Sequence, residues 1–399
     1  MPAKNSPQDT DVESWLQQHS SPKGQSGLRA ANERRILALI RQHHHLPKSI
    51  IAKETGLSAQ AATVIINKLE QEGLVLRGAP QKGKRGQPSI PFSLNAQGAF
   101  GLGIRIGRRS IQLTLIDFCG KVQASLREQW QYPTVDAMNR FVQKAIPAVT
   151  APLTAEQKQK LCGVGVAMPF EIWRWSEQAG APEAVLEQWR QLAIVPALQQ
   201  MISLPVFMCN DHTAACAAEL WYGKHKQLND YLYCFIGTFV GGGLVINRQL
   251  HVGRNGNAGA LGSLPFNQGG TQTQLINQSS LYLLERMLNE HQIDSTFLHS
   301  NTAPWPHDLP GLDGWINDVA SGLAHAALNA HGILDLDAVV IEGALPRGVL
   351  AKVVASCKQK LADADKRGLT PVTLLEGSVG ADAQSLGSAH LPLLMLYSN

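Results

Sequence analysis

Between Lys48 and Gly73 the apolar residues are spaced for two short helices, and Gly56-Leu57-Ser58 stands between them. This arrangement leaves few folds open. The segment Ser49-Ile50-Ile51-Ala52-Lys53-Glu54-Thr55 ends at Gly56, the residue type that takes a left-handed backbone at a helix end without strain. Ser58 is a good N-cap for a further helix over residues 59–72, which Gly73 closes. In that helix Ala62, Ile65, Ile66 and Leu69 share one face and turn inward, while Gln60, Thr63, Asn67 and Lys68 face out. Upstream, Asn32 caps a helix starting at Glu33, with Ile36, Leu39 and Ile40 at helical spacing and Pro47 as its breaker. Helix, glycine turn, helix is the helix-turn-helix pattern, whose second helix enters the major groove of DNA.

The next segment extends the motif. Leu74-Val75-Leu76 begins a strand and Pro91-Phe92-Ser93-Leu94 returns as its partner, around a basic loop over residues 79–88. A basic hairpin after a recognition helix is a wing, which touches phosphates or the minor groove. The residues expected at DNA are Ser58, Gln60, Ala61, Thr63, Asn67 and Lys68 from the helix, and Lys82, Lys84, Arg85 and Gln87 from the wing. Charge agrees: residues 1–98 hold 13 Lys and Arg against 7 Asp and Glu, whereas the rest of the chain holds 22 against 24. The anionic partner is therefore expected at the first quarter. Residues 1–27 are polar and read as a flexible arm, and residues 28–95 as the winged helix-turn-helix. His43, His44 and His45 read as a polar helix end, because adjacent residues on a helix point in different directions and cannot chelate together.

After Gly98 the pattern turns to strands. Residues 101–110 run through a glycine turn into Ile111–Asp117, a hairpin. A similar unit recurs at Tyr231–Thr238, with Gly241, Gly242 and Gly243 as its turn and Leu244–Asn247 as the return strand. Two such units suggest two related halves meeting at a ligand cleft. Strands at Gly163–Ala167, Val206–Met208 and Ala338–Ile341 alternate with helices at Ala214–Tyr222, Gln278–His291, Gly314–Ala330 and Leu350–Arg367.

In their order these stretches resemble the ROK family of repressors, open reading frames and sugar kinases, and specifically its regulator branch. The resemblance rests on Leu102–Lys121, Gly163–Pro169, Asn210-Asp211 with Thr213-Ala214-Ala215, Gly237–Asn247, Gly253–Gly259, Val339–Leu345 and Gly380–Gly387. It implies an α/β fold: an N-terminal winged helix-turn-helix, then an actin-like, ribonuclease-H-like, duplicated sugar-kinase-type domain over 99–399, with lobes of about 99–208 and 209–399. It also implies ligand-binding positions at Pro169, Asn210, Asp211 and Asn257, a sugar-like effector, operator DNA as partner and a homodimer or homotetramer. Val339–Leu345 looks like the nucleotide-base turn.

The departures from the family pattern point away from an enzyme. The kinase turn Asp-x-Gly-Gly-Thr is Arg105-Ile106-Gly107-Arg108-Arg109 here, so a cation stands where the family has a metal-holding Asp. Of the family's sugar-gripping Glu and His, the counterparts are Ala260 and Ser263, and the next Glu falls near Ile276. The cysteine run of the family's zinc loop is missing, since no cysteine lies between Cys234 and Cys357; no metal and no cofactor are expected. Trp173, Trp175 and Trp189 lie where the family folds near its cleft, and either stack on a ligand or serve as packing. The cysteines form no CxxC pair and no apolar run approaches the ~20 residues of a membrane helix, so a cytoplasmic protein with no membrane partner is expected. The second reading is a hexose kinase with Asp211 as its base.

Overall fold

A computed structural model describes residues 24–81, 89–176, 180–268, 270–300, 304–306 and 308–397. The expected wing residues Lys82, Lys84, Arg85 and Gln87, and the expected arm up to residue 23, lie outside the described residues.

The first helix, α1 (Gly24–His43), starts before the expected Glu33. Asn32 is therefore inside the helix and not its cap, and the end of the expected arm is helical. The reason is local: Leu28, Arg29, Ala30 and Ala31 are all strong helix formers, and extending an existing helix is easier than starting one. α1 ends at His43, and His44 takes a left-handed backbone with φ of 64°. β1 (Leu46–Pro47), α2 (Lys48–Thr55), α3 (Ala59–Gln71), β2 (Val75–Arg77) and β3 (Pro91–Leu94) follow, with the strands in antiparallel order β1-β3-β2. Gly56 has φ of 65°, and its N–H donates to the carbonyls of Ala52 and Lys53, which ends α2 as the sequence implied.

The rest of the chain builds two five-stranded sheets. The first comprises β4 (Phe100–Ile106), β5 (Ser110–Asp117), β6 (Val122–Gln129), β7 (Leu161–Met168) and β8 (Val206–Asn210), in the order β6-β5-β4-β7-β8. The second comprises β9 (Tyr231–Ile236), β10 (Val240–Ile246), β11 (Gln249–His251), β14 (Ala338–Gly343) and β15 (Leu374–Glu376), in the order β11-β10-β9-β14-β15. Both follow one scheme: three antiparallel strands, then a fourth strand parallel to the first of the three. The duplication expected from two hairpins thus extends over whole sheets.

The chain divides into two compact units. The first holds residues 1–168, 187–209 and 385–399, and the second holds 169–186 and 210–384. These units are not continuous stretches, unlike the expected lobes of about 99–208 and 209–399. The return of residues 385–399 to the first unit has a packing cause in the helix α9 (Ala383–Tyr397).

In the first unit, α4 (Val135–Thr150) buries Met138, Phe141, Val142 and Ala145. The backbone of Ser388 and Ala389 in α9 lies so close to the sheet that a Cβ on Gly101 or Gly103 of β4, or on Gly165 of β7, would overlap it. These glycines are needed for close approach, not for turning. The helix also joins the core of the winged helix: Ile36, Leu37, Ile40, Ile66, Leu69 and Phe92 form one buried cluster with Ile116, Phe118, Ala389 and Leu393. The Tyr397 ring meets Phe118 edge-on at 5.1 Å, and the Arg41 guanidinium sits 5.2 Å from the Phe118 ring centre.

In the second unit, Gly241, Gly242 and Gly243 are strand residues of β10, and the turn falls at Gly237–Phe239 instead. A Cβ on Gly241 would strike the His212 ring and one on Gly243 would strike Cys216, both on α5 (Asp211–Tyr222). The glycine run therefore marks where a helix presses on a strand. The expected helix Gln278–His291 is interrupted at Ser280, which is extended (φ −103°, ψ 152°) ahead of α6 (Leu281–Glu290). Ser280 Oγ accepts from the Val240 N–H at 2.9 Å, and its carbonyl accepts from Trp315 Nε1 at 3.0 Å, so its backbone is held out of the helix. α7 (Leu312–Leu334) and α8 (Arg347–Asp363) close the core with Val319, Leu323, Leu350 and Val353. The stretch where the resemblance places a cysteine loop forms a two-stranded hairpin, β12 (Pro265–Gln268) and β13 (Thr271–Gln274). Among the described residues no group of three or more His, Cys, Asp or Glu is placed to hold a metal, and no helix is long and apolar enough to cross a membrane.

Gly103→Val should destabilise the protein by about 1–3 kcal/mol or more, because α9 must move off β4. A urea-unfolding midpoint equal to that of the parent would show that the close approach is dispensable.

Candidate functional site

The first candidate site lies on α3. Ser58 Oγ accepts from the Ala61 N–H at 3.1 Å, which satisfies one of the donors exposed at a helix start. Ala62, Ile65, Ile66 and Leu69 are buried as expected. Ser58, Gln60 and Asn67 are exposed, and Ala61, Thr63 and Lys68 are half-buried. Two of the expected DNA contacts are engaged within the protein. Lys68 Nζ donates to Glu33 of α1 at 2.6 Å and lies 3.5 Å from Glu72. Lys48 Nζ of α2 donates to Asn67 Oδ1 at 2.7 Å and sits 5.1 Å from the Phe92 ring centre. Arg77 clasps Glu70 through two hydrogen bonds of 3.0 Å, which fixes β2 on α3. Val64 is also exposed on this face, at 55%. The sequence carried the signal for it: an apolar residue set off the inward stripe of Ala62, Ile65, Ile66 and Leu69.

The second candidate site is in the second unit, at the start of α5. Asn210 Oδ1 accepts from the N–H groups of His212 (2.9 Å) and Thr213 (3.3 Å), so this residue is the helix N-cap. The cap uses its oxygen, and what Asn210 can offer a ligand is an N–H donor. Asp211 is 3% exposed. Its Oδ2 accepts from Gln384 Nε2 at 3.0 Å, and its Oδ1 accepts from the His212 N–H at 3.1 Å and lies 3.2 Å from His212 Nδ1. These contacts orient the Asp211 carboxylate. Sequence reasoning missed both Gln384 and His212. Gln384 lies far along the chain, and His212 is recognisable only from its packing on Gly241.

Asn257 is half-buried, on a loop bent by Gly253, Gly256 and Gly259 at φ of 76°, 64° and 78°. A Cβ on Gly259 would lie 2.6 Å from the Gly243 Cα, so the loop rests on the strand that also carries α5. Pro169 is buried just after β7. Ala260 is half-buried and Ser263 exposed around a 3₁₀ turn. Trp189 is 1% exposed and donates from Nε1 to the Pro133 carbonyl at 3.1 Å, which makes it a packing residue. Trp175 meets Phe239 edge-on at 5.6 Å, beside Ile276 and Tyr282, and Trp173 is half-buried.

Two further regions bear on nucleotide chemistry. In the first unit, Arg105 Nη1 donates to Ser110 Oγ at 2.9 Å and Arg109 Nη1 to the Gln131 carbonyl at 2.6 Å, while Arg108 is buried. In the second, Glu342, next to last in β14, is fully buried. It accepts from the N–H of Gly343 (3.0 Å), the N–H of Gly380 (2.8 Å) and Arg347 Nη1 (3.1 Å). Glu219 of α5 holds the same segment, accepting from the N–H groups of Ser378 (3.0 Å) and Val379 (3.2 Å) and from Ser378 Oγ (2.9 Å). A Cβ on Gly377 would lie 2.7 Å from the Glu342 Cβ. Glu342 thus ties the end of β14 to the backbone at Gly380 and to Arg347. Burial pushes the Glu342 carboxyl above its ordinary range, against the opposing pull of the Gly343 N–H, Arg347 and the Gly380 N–H.

Residues 29–75 match the model of winged helix-turn-helix DNA-binding domains, and residues 101–275 match the model of the ROK family. This is a ROK family domain behind a winged helix-turn-helix. The chain is 22% identical to the xylose repressor of Bacillus spizizenii, over 66% of this chain and 68% of that one. In fold it is similar to a crystal structure described as a ROK family transcriptional regulator, a homologue of the Escherichia coli MLC protein, with a TM-score of 0.67 and 18% identity, covering 93% of this chain and 97% of that chain. It is also similar to a ROK family glucokinase from Streptomyces griseus solved with glucose and AMPPNP, with a TM-score of 0.57 and 18% identity, covering 73% of this chain and 99% of that one.

Glu342 of the ROK domain gives a test by pH. Its folded-state affinity for a proton is raised above the unfolded-state value, so its contribution to stability is full below the ordinary value of 4.5 and is lost as pH rises through the raised folded value. Parent minus Glu342→Gln melting temperature should therefore fall as pH rises from about 4.5 towards neutrality. A difference that rises over that window would show that Arg347 and the backbone donors outweigh desolvation.

Proposed function

We propose that this chain is a DNA-binding transcriptional repressor whose ROK domain takes a sugar or sugar derivative as effector. The observation that carries the reading is α3: a capped second helix of a helix-turn-helix, buried along one face and open along the other. The name of the Bacillus relative, a xylose repressor, supports a sugar as the class of effector. In this reading two copies pair so that two winged helices read a pseudo-palindromic site, in the cytoplasm where that DNA is. Asn210 donates to a ligand hydroxyl, Asp211 accepts from one, and Asn257 and Pro169 complete the wall. Effector binding shifts the population from DNA-competent to DNA-incompetent forms, and DNA weakens the effector by the same factor.

The second reading is a hexose kinase, favoured by Asp211 and by the fold shared with the glucokinase. Three features weigh against it. Arg105 stands where phosphoryl transfer needs a metal-holding carboxylate. Glu342, in the turn expected to meet a nucleotide base, is engaged by Arg347 and the Gly380 N–H. Ala260 and Ser263 stand where the resemblance expects a carboxylate and an imidazole to grip the sugar. A coupled ADP-release assay over a panel of hexoses should show no turnover, and turnover of any of them would reverse this ranking.

The repressor reading is tested by titrating monosaccharides and their derivatives into the protein bound to genomic DNA fragments. One of them should release the DNA. Asp211→Asn should then need about 10-fold or more effector for half-release, since a hydrogen bond to a charged group contributes about 1.5–3 kcal/mol. Equal midpoints for parent and variant would place the effector elsewhere.

A further inference from the structure

The outer face of α3 is not evenly polar. Opposite the buried stripe of Ala62, Ile65, Ile66 and Leu69, the helix period brings Gln60, Val64, Asn67 and Gln71 into line, and all four are exposed. These residues do not stand equally ready to read bases. Asn67 Oδ1 already accepts from the Lys48 ammonium at 2.7 Å, and Lys48 is itself seated over Phe92. A carboxamide reads adenine by accepting from N6 and donating to N7 together, so an oxygen held by a lysine within the protein is poorly placed for it. Lys68, one residue on, is held by Glu33 at 2.6 Å. The second half of the helix is thus used to fix α3 on α1 and α2. Base reading falls to its first two turns, the part of a recognition helix that reaches base edges.

Within those turns Val64 is 55% exposed, the most exposed large apolar residue of the described winged helix, above Leu76 at 49% and Ile50 at 40%. Its side chain offers only methyl groups. In the major groove the feature that such a side chain can distinguish is the C5-methyl of thymine, and no other base carries an apolar group there. We propose that Val64 is a specificity-determining residue that packs on a thymine methyl in each half-site, with Asn67 as a positioning residue locked by Lys48. This rests on the repressor reading above and adds to it the base that the helix selects.

The test uses the full-length protein. Its half-site is first selected from a random duplex pool, and each thymine in it is then replaced singly by deoxyuridine, which removes the methyl and nothing else. At one thymine per half-site the replacement should weaken parent binding about fourfold, the effect of one buried methyl group. Val64→Ser should bind the thymine and deoxyuridine duplexes equally at that position, with an unchanged melting temperature because the residue is on the surface. An enriched half-site with no methyl-dependent thymine, or a methyl dependence that survives Val64→Ser at every position, overturns the proposal while leaving the repressor reading standing. A pool with no enriched sequence overturns the repressor reading and this proposal together.

Discussion

The absence of side chains at Gly101, Gly103 and Gly165 is the constraint on which the first unit depends. It lets the backbone of α9 lie directly on β4 and β7, where any Cβ would overlap Ser388 or Ala389. Once the helix is seated there, Ala389 and Leu393 are carried into the cluster that holds α1, α3 and β3. The end of the chain thereby completes the core around the DNA-reading helices. Interiors are packed at nearly crystalline density, so an added methyl on those strands has no room to occupy.

The second unit uses the same device for another purpose. Gly241 and Gly243 let α5 press on β10, which sets His212 and the Asn210 cap against a fixed strand. Asp211 is oriented from two directions, by its neighbour His212 and by Gln384. Glu219, one face further along α5, and Glu342 hold the segment around Ser378 to Gly380. Arg105, Glu342, Ala260 and Ser263, the positions that weigh against the kinase reading, sit on strands and a short turn of these two units.

Features that depend on neighbours in sequence were legible before the structure. The Gly56 stop, the Ser58 cap and the inward stripe of α3 each follow from a few adjacent residues, and each is found as expected. The hairpin pair was legible too, because alternation and turn glycines are local signals. What failed were inferences about distant partners. Gly241 to Gly243 looked like a turn because the helix that needs them bare begins some way upstream, and Ser280 looked helical because Val240 and Trp315, which hold it extended, are far along the chain. Lys68 and Asn67 looked available because Glu33 and Lys48 sit on other helices. Asn32 departs for a local reason: it is a good cap residue, but the helix formers before it carry the helix through it.

The sharing of one core has a practical corollary for how the reading head can be handled. Residues 24–95 carry every described element of the winged helix, yet Ala99, Ile116, Phe118, Ala389 and Leu393 belong to its buried cluster. A fragment cut at residue 95 would open Ile36, Ile40 and Phe92 to water on one side and invite self-association. The minimal portable module is larger than the motif: it needs the first sheet and a grafted copy of the terminal helix.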